Sequence, residues 1–280
     1  MGNQPSSSEK NFLEDTYRAH HQALFVEQDP IRFVHNYRNP ADQEPVAFLT
    51  ALLAYGNVKT IFSSVSKILS VLGPNPRTSL IDQSFAKKFN GFKHRFTTGE
   101  DIEIVCFWLS CVLRRFSSIE QFFIACSDGG SQVPMKTALS GFVHQFTHLE
   151  IPNHLSMAAQ ERKRSLKYLI PDPCRGSACK RLNLFLRWMV RRRDGIDLGL
   201  WRSIRPSQLI LPLDTHLLKT LNFLGWARTN NATWKVAEQA TDRLRAYDAS
   251  DPIKYDFALC HLSMLKSARR HPTGTSTILD

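Results

Sequence analysis

Apolar positions recur along this chain at three- and four-residue spacing. In "PVAFLTALLAYG" the residues Phe48, Leu49, Leu52 and Leu53 share one helical face. "VKTIFSSVSKILSVLG" repeats the theme with Ile61, Val65, Ile68 and Leu72 before Gly73 stops it. "GEDIEIVCFWLSCVLRRF", "SIEQFFIACS" and "KTALSGFVHQFTHL" predict three more helices. The two-residue alternation of a half-buried strand is hard to find. Proline and glycine clusters punctuate the pattern at "GPNP", "DGGSQVP" and "PDPCRGS". The expectation is an all-α chain of about ten helices joined by short loops. Residues 1–10 and 271–280 are polar and read as flexible tails, which leaves 11–270 as the folded unit.

Composition narrows the class. A chain of 280 residues with 42% hydrophobic and 22% charged content can bury a sizeable core. It has no apolar run long enough to span a membrane, and "MGNQPSSSEKNF" lacks the apolar core of a signal peptide. A cytoplasmic chain is therefore expected. "MGNQPS" matches the short myristoylation pattern of Gly2 with Ser6, which a bacterial protein would not use. Cys106, Cys111, Cys126, Cys174, Cys179 and Cys260 show no paired C-x-x-C spacing. They read as reduced thiols, with no metal and no cofactor expected. The formal net charge is +11, from 36 Lys+Arg against 25 Asp+Glu. That favours a polyanionic partner, nucleic acid ahead of an anionic membrane surface. A basic protein with no such partner is the plainer alternative.

Candidate chemistry gathers in "RGSACKRLNLFLRWMVRRR", Arg175 to Arg193. Ser177 is the expected N-cap of a helix starting at Ala178, with Lys180 in its first turn. At 100° per residue Arg187 and Arg191 return to within about 20° of Lys180. Leu182, Phe185, Leu186 and Met189 lie opposite, which predicts an outward cationic stripe on an amphipathic helix. The helix dipole at a first turn favours a neutral amine, and a neutral amine can form a Schiff base. An isolated lysine there is more often simply solvated. In "QLILPLDTHLLKTLNFLG" Asp214 is placed to cap a helix whose apolar face is Leu217, Leu218, Leu221 and Leu224. His216 falls in its first turn. Both residues also have ordinary structural readings, as a cap and as a satisfied histidine.

"PLDTHLLKTLNFLG" is similar to the segment after the hairpin in helix-hairpin-helix DNA glycosylases. The resemblance implies that Asp214 is the catalytic aspartate. It implies that Lys180, 214 − 180 = 34 residues upstream, is the Schiff-base lysine of the bifunctional members. The separation, with "KRLNLFLRWMVR", most resembles the archaeal 8-oxoguanine glycosylase branch. Over most of residues 30–265 the chain is identified as a member of the bacterial DUF2400 family. The motifs are "FVHNYRNPADQEPVAFLTALLAYG", "CKRLNLFLRWMVRRRDGIDLGLW", "LPLDTH" and "DPIKYDFALCHL", the last opening a helix at Asp251-Pro252.

The glycosylase resemblance implies a two-lobed helical body, monomeric and nucleoid-associated, that excises an oxidised purine from double-stranded DNA. Gly176, Ser177, Arg181, Arg187, Arg191, Arg192 and His216 would hold the DNA. Tyr55 and Asn57 of "LAYGN", with Trp188 or Trp201, would receive the extruded base. Two departures stand out. "CRGSACK" carries one glycine where hairpins of that superfamily are glycine-rich, and the superfamily's iron–sulfur cysteines are absent. A non-catalytic nucleic-acid binder on the same fold is the alternative, and an interaction or structural protein the third reading.

Overall fold

The computed structural model describes residues 6–127 and 133–270, and the glycine-rich part of "DGGSQVP" lies outside them. Among the described residues the helices are α1 (Ser7–His20), α2 (Arg32–His35), α3 (Pro40–Leu52), α4 (Val58–Leu72), α5 (Pro76–Ile81), α6 (Gly99–Phe116), α7 (Ile119–Ala125), α8 (Met135–Phe146), α9 (Asn153–Glu161), α10 (Lys163–Leu169), α11 (Lys180–Val190), α12 (Thr215–Phe223), α13 (Trp234–Arg245) and α14 (Asp256–Arg270). The chain is mostly helical, as the periodicity predicts. The helices beyond about ten are short ones, such as the four-residue α2 and six-residue α5, too brief to show a period. A minimal hairpin of β1 (Lys93–His94) and β2 (Thr97–Thr98) also escaped the pattern. Two-residue strands carry no alternation to read.

The N-terminal tail is shorter than expected. Ser6 caps α1 by accepting from the Glu9 N–H, so residues 7–10 form its first turn. Glu9 then accepts from the Trp226 indole (3.0 Å), the Arg243 guanidinium (2.8 Å) and the Tyr247 hydroxyl (2.6 Å). Residues 1–5 and 271–280 lie outside the described residues. Helix α1 packs along α14, where the Tyr255 hydroxyl donates to Glu14 at 2.6 Å. Asp251-Pro252 opens only a turn, and α14 itself starts at Asp256.

At the centre α11 lies against α3, and every residue from Arg181 to Val190 is buried. The outward cationic stripe is therefore overturned. Arg187 is 2% exposed and pairs with Asp197 (3.1 Å) and Asp256 (2.5 Å). Arg191 is 0% exposed and pairs with Asp194 (3.3 Å), Asp251 (2.8 Å) and Asp197. Four aspartates from the "RDGID" loop and the "DPIKYD" segment neutralise the two arginines. Without them two buried charges would be prohibitively costly. Neither arginine is available to DNA phosphate. Arg192 is exposed beyond the far end of α11, whose axis runs about 15 Å from Lys180 to Val190.

Candidate active site

Helix α11 begins two residues later than expected. Ser177 does not cap it; the Ser177 Oγ accepts instead from the Cys179 N–H at 3.1 Å. Cys179 adopts a left-handed conformation (φ 47°, ψ 38°) with its thiol donating to the Pro171 carbonyl. Its buried thiol is pushed up to about 12, out of reach of ionisation at neutral pH. This kink makes Lys180 the first helical residue, so its stem leaves the helix end. The Gly176 N–H, expected to face phosphate, is spent on the Pro173 carbonyl at 3.0 Å.

Asp214 caps α12 as predicted. Its Oδ1 accepts from the N–H groups of His216 (2.9 Å) and Leu217 (2.8 Å). Its Oδ2 lies 3.3 Å from the Lys180 Nζ. That amine also donates to the Ala54 carbonyl at 3.3 Å. The two helix N-termini thus converge, and the side chains remain 30% and 23% exposed. Burial opposes ionisation of Asp214, but Lys180 and the Leu217 N–H outweigh it and hold the carboxyl below its ordinary range.

The pair opens into a cavity of about 750 Å³. Tyr55, His216 and Ser177 line it, as does Asp29, which the sequence reading missed. Asp29 accepts from the Ile31 N–H at 2.9 Å, and burial pushes its carboxyl above the ordinary range. Asp-Pro in "EQDPIRF" reads locally as a turn, and nothing in it signals a cavity carboxylate. Asp256 also lines the cavity, joined to it by Arg187.

Several expected site residues do other work. Trp188 is fully buried, and Trp201 donates its indole N–H to Glu44 at 2.8 Å. Both belong to the core rather than to a base pocket. Asn57 caps α4 by accepting from the Lys59 N–H. Arg181 is buried between the rings of Tyr55 (4.8 Å) and Tyr168 (4.7 Å), where it stacks instead of meeting DNA.

A second cavity of about 470 Å³ shares Pro171 and Ser177 with the first. His144, His148, Lys163, Lys167 and Arg175 line it and are all exposed. Its one acidic lining residue, Asp172, accepts from the Ser140 hydroxyl and the Cys174 N–H and lies 3.9 Å from the Arg175 guanidinium, a loose pair that leaves Arg175 largely exposed. Among the described residues no helix is long and apolar enough to cross a membrane.

A family model described as a protein of unknown function, DUF2400, matches residues 29–265. No curated protein and no solved structure matches the chain. The matched span holds Asp29, Lys180, Asp214, the whole lining of the second cavity and all of the first but Gln28, and the chain belongs to the DUF2400 family.

Proposed function

We propose that this chain is a DNA glycosylase with AP-lyase activity, of the helix-hairpin-helix kind, acting on an oxidised purine such as 8-oxoguanine. The observation that carries the reading is the 3.3 Å pair of Lys180 and Asp214 at two helix N-termini, open to a cavity large enough to admit a base.

The chemistry assigns each group a part. Lys180 loses a proton, with Asp214 the adjacent acceptor, and its free amine bonds to the C1′ carbon of the extruded nucleoside. The bond from C1′ to the base breaks, and the base leaves with the electron pair and takes up the proton that Asp214 received from Lys180, which returns Asp214 to its ionised form. Asp214, ionised and fixed by two backbone N–H groups, stabilises the positive charge that builds on the sugar. Opening of the sugar ring, with O4′ taking up the proton that the C1′-bound amine gives up, yields the Schiff base; loss of a proton from C2′ with departure of the 3′ phosphate then cleaves the strand. Tyr55 supplies an aromatic wall to the cavity.

The DNA backbone needs a cationic track, and the arginines of α11 do not provide one. The second cavity does, with Lys163, Lys167 and Arg175 adjoining the first at Ser177. Double-stranded DNA is the partner this surface suits. Asp214 is also a complete helix cap, and this favours a second reading in which the same fold binds nucleic acid without cutting it. Incubation with duplex containing 8-oxoguanine separates the two. Release of free base, lost in Lys180→Gln, supports the glycosylase. Binding with no base release supports the binder.

A further inference from the structure

Many of the chain's cations meet carboxylates, as Arg162 meets Asp101 at 2.6 Å and Arg243 meets Glu9 at 2.8 Å. The second cavity is different. Lys163 and Lys167 line it from one face of α10, four residues apart, and neither has an ion-pair or hydrogen-bond partner among the described residues. Arg175 has only its loose contact with Asp172. Three cations thus gather at one cavity with a single acid between them, and that acid already accepts from Ser140 and Cys174.

Two imidazoles complete the rim. The rings of His144 and His148 stack at 4.5 Å at the end of α8. The His148 Nδ1 lies 2.6 Å from the His144 carbonyl. A carbonyl only accepts, so Nδ1 carries the hydrogen. Nε2 is left for a ligand, with no partner among the described residues. It accepts from a protonated phosphate oxygen, or donates to an ionised one when the ring itself is protonated. Beneath the rim the floor is apolar. Trp108, Val143, Leu166 and Ile170 are buried there, and the Trp108 indole N–H is spent on the Leu149 carbonyl at 3.1 Å. Cations over an apolar floor, in about 470 Å³, suit a ligand with an anionic end and a flat, weakly polar body. One nucleotide at the end of a strand has that form.

The cavity also lies where such an end would arise. It meets the reaction cavity at Pro171 and Ser177, and Ser177 precedes Lys180 by three residues. The proposed cleavage releases the phosphate on the 3′ side of the sugar that Lys180 holds. That phosphate becomes the 5′ end of the downstream fragment, one nucleotide from the attacked carbon. As a diester it carries one negative charge, and as a terminal monoester about 1.5 to 2, with three free oxygens. An intact backbone spreads single charges along a track. A monoester concentrates charge and acceptors at one point, as the three cations and His148 require.

We infer that the second cavity is a binding site for a 5′-phosphate monoester at the end of a DNA strand. Lys163, Lys167, Arg175 and His148 hold the phosphate, and the terminal nucleoside rests on the apolar floor. The origin of this end rests on the proposed lyase reaction; its recognition does not.

The test uses the full chain and a lesion-free duplex with a single nick, so no bond has to break. The nick carries either a 5′-phosphate or a 5′-hydroxyl, and affinity is read by fluorescence anisotropy at one ionic strength. The 5′-phosphate should bind about tenfold more tightly. The ratio of the two affinities, taken within each variant, cancels any general change in DNA binding. It should fall to about one when Lys167→Gln and His148→Gln are combined, both exposed changes that leave the fold intact. Equal affinity of the unmutated chain for the two ends, or a preference that survives in the double variant, overturns the inference and leaves the glycosylase standing. Inorganic phosphate at matched ionic strength should leave the ratio intact. A ratio abolished by low-millimolar inorganic phosphate would assign the cavity to the free anion and overturn the strand end as its ligand. A 5′-phosphate preference in a chain that releases no 8-oxoguanine supports the site and removes the glycosylase. Failure to bind either duplex overturns both.

Discussion

Arg191→Ala separates a structural arginine from a DNA-binding one. The guanidinium is fully buried and contacts three carboxylates, Asp194, Asp197 and Asp251. Of these, Asp197 keeps a second partner in Arg187 and Asp194 keeps His21 at 2.8 Å, which leaves Asp251 without another cation. Removing one member of a buried pair costs about 3–5 kcal/mol, because the remaining charge is left uncompensated. Loss of the stem packing adds to this. Against a whole-protein stability of about 5–15 kcal/mol, the expected loss is about a fifth of the total or more. With a urea slope of about 2–3 kcal/mol per molar, the unfolding midpoint should fall by about 1–2 M. Arg192→Ala, an exposed change on the neighbouring residue, should move it hardly at all. The salt dependence of DNA binding should be the same in wild type and in Arg191→Ala measured below its unfolding midpoint. A DNA contact predicts the opposite: stability within about 0.5 kcal/mol, and a log–log salt slope shallower by about 0.9. That pattern would refute the buried-network account.

Other outcomes follow from the same geometry. Asp214→Ala should cost about 1 kcal/mol of stability through the lost cap, whereas Asp214→Asn keeps the cap. Single-turnover base release in Asp214→Asn should still fall by about 100-fold; wild-type rates would reduce Asp214 to a cap. Replacing Lys163, Lys167 and Arg175 together by Ala should flatten the salt slope of DNA binding by about two to three, and an unchanged slope would move the backbone track elsewhere. Glu9 is held down to about 2, with burial opposing and the Tyr247, Trp226 and Arg243 donors prevailing. A carboxyl depressed in the folded state stabilises it above its unfolded pKa and loses that contribution as pH falls. Glu9→Gln should therefore cost about 1–2 kcal/mol near neutral pH after solvent screening, and the difference should shrink between pH 4.5 and 2 in urea titrations.

Lys180 and Asp214 were legible in the sequence because each announces itself locally. Asp214 precedes an apolar-periodic helix as a cap should, and Lys180 follows a breaker-rich stretch. Their convergence needed only two helix N-termini to meet. The role of Arg187 and Arg191 was not legible, because a helical wheel sees charge but not its partners. Asp251 and Asp256 lie 60 and 69 residues downstream of the arginines they neutralise. The nearby "RDGID" was the available clue, with two aspartates directly after the arginine run. Trp188, Trp201 and Asn57 were placed in a base pocket by residue type, but packing put the tryptophans in the core and Asn57 at a helix cap. Asp29 and the second cavity were missed for a common reason. The significance of each comes from what long-range packing places beside it.

The central claim is that Lys180 forms a Schiff base with the sugar of a damaged nucleotide. Borohydride trapping measures this directly, because reduction makes only an imine-linked complex permanent. The unmodified chain, incubated with duplex containing 8-oxoguanine and borohydride, should give a covalent complex whose adduct maps to Lys180 by peptide mass spectrometry. Lys180→Gln should give none while still binding the duplex. A chain that binds this DNA but yields no adduct, or an adduct on a different lysine, would contradict the account.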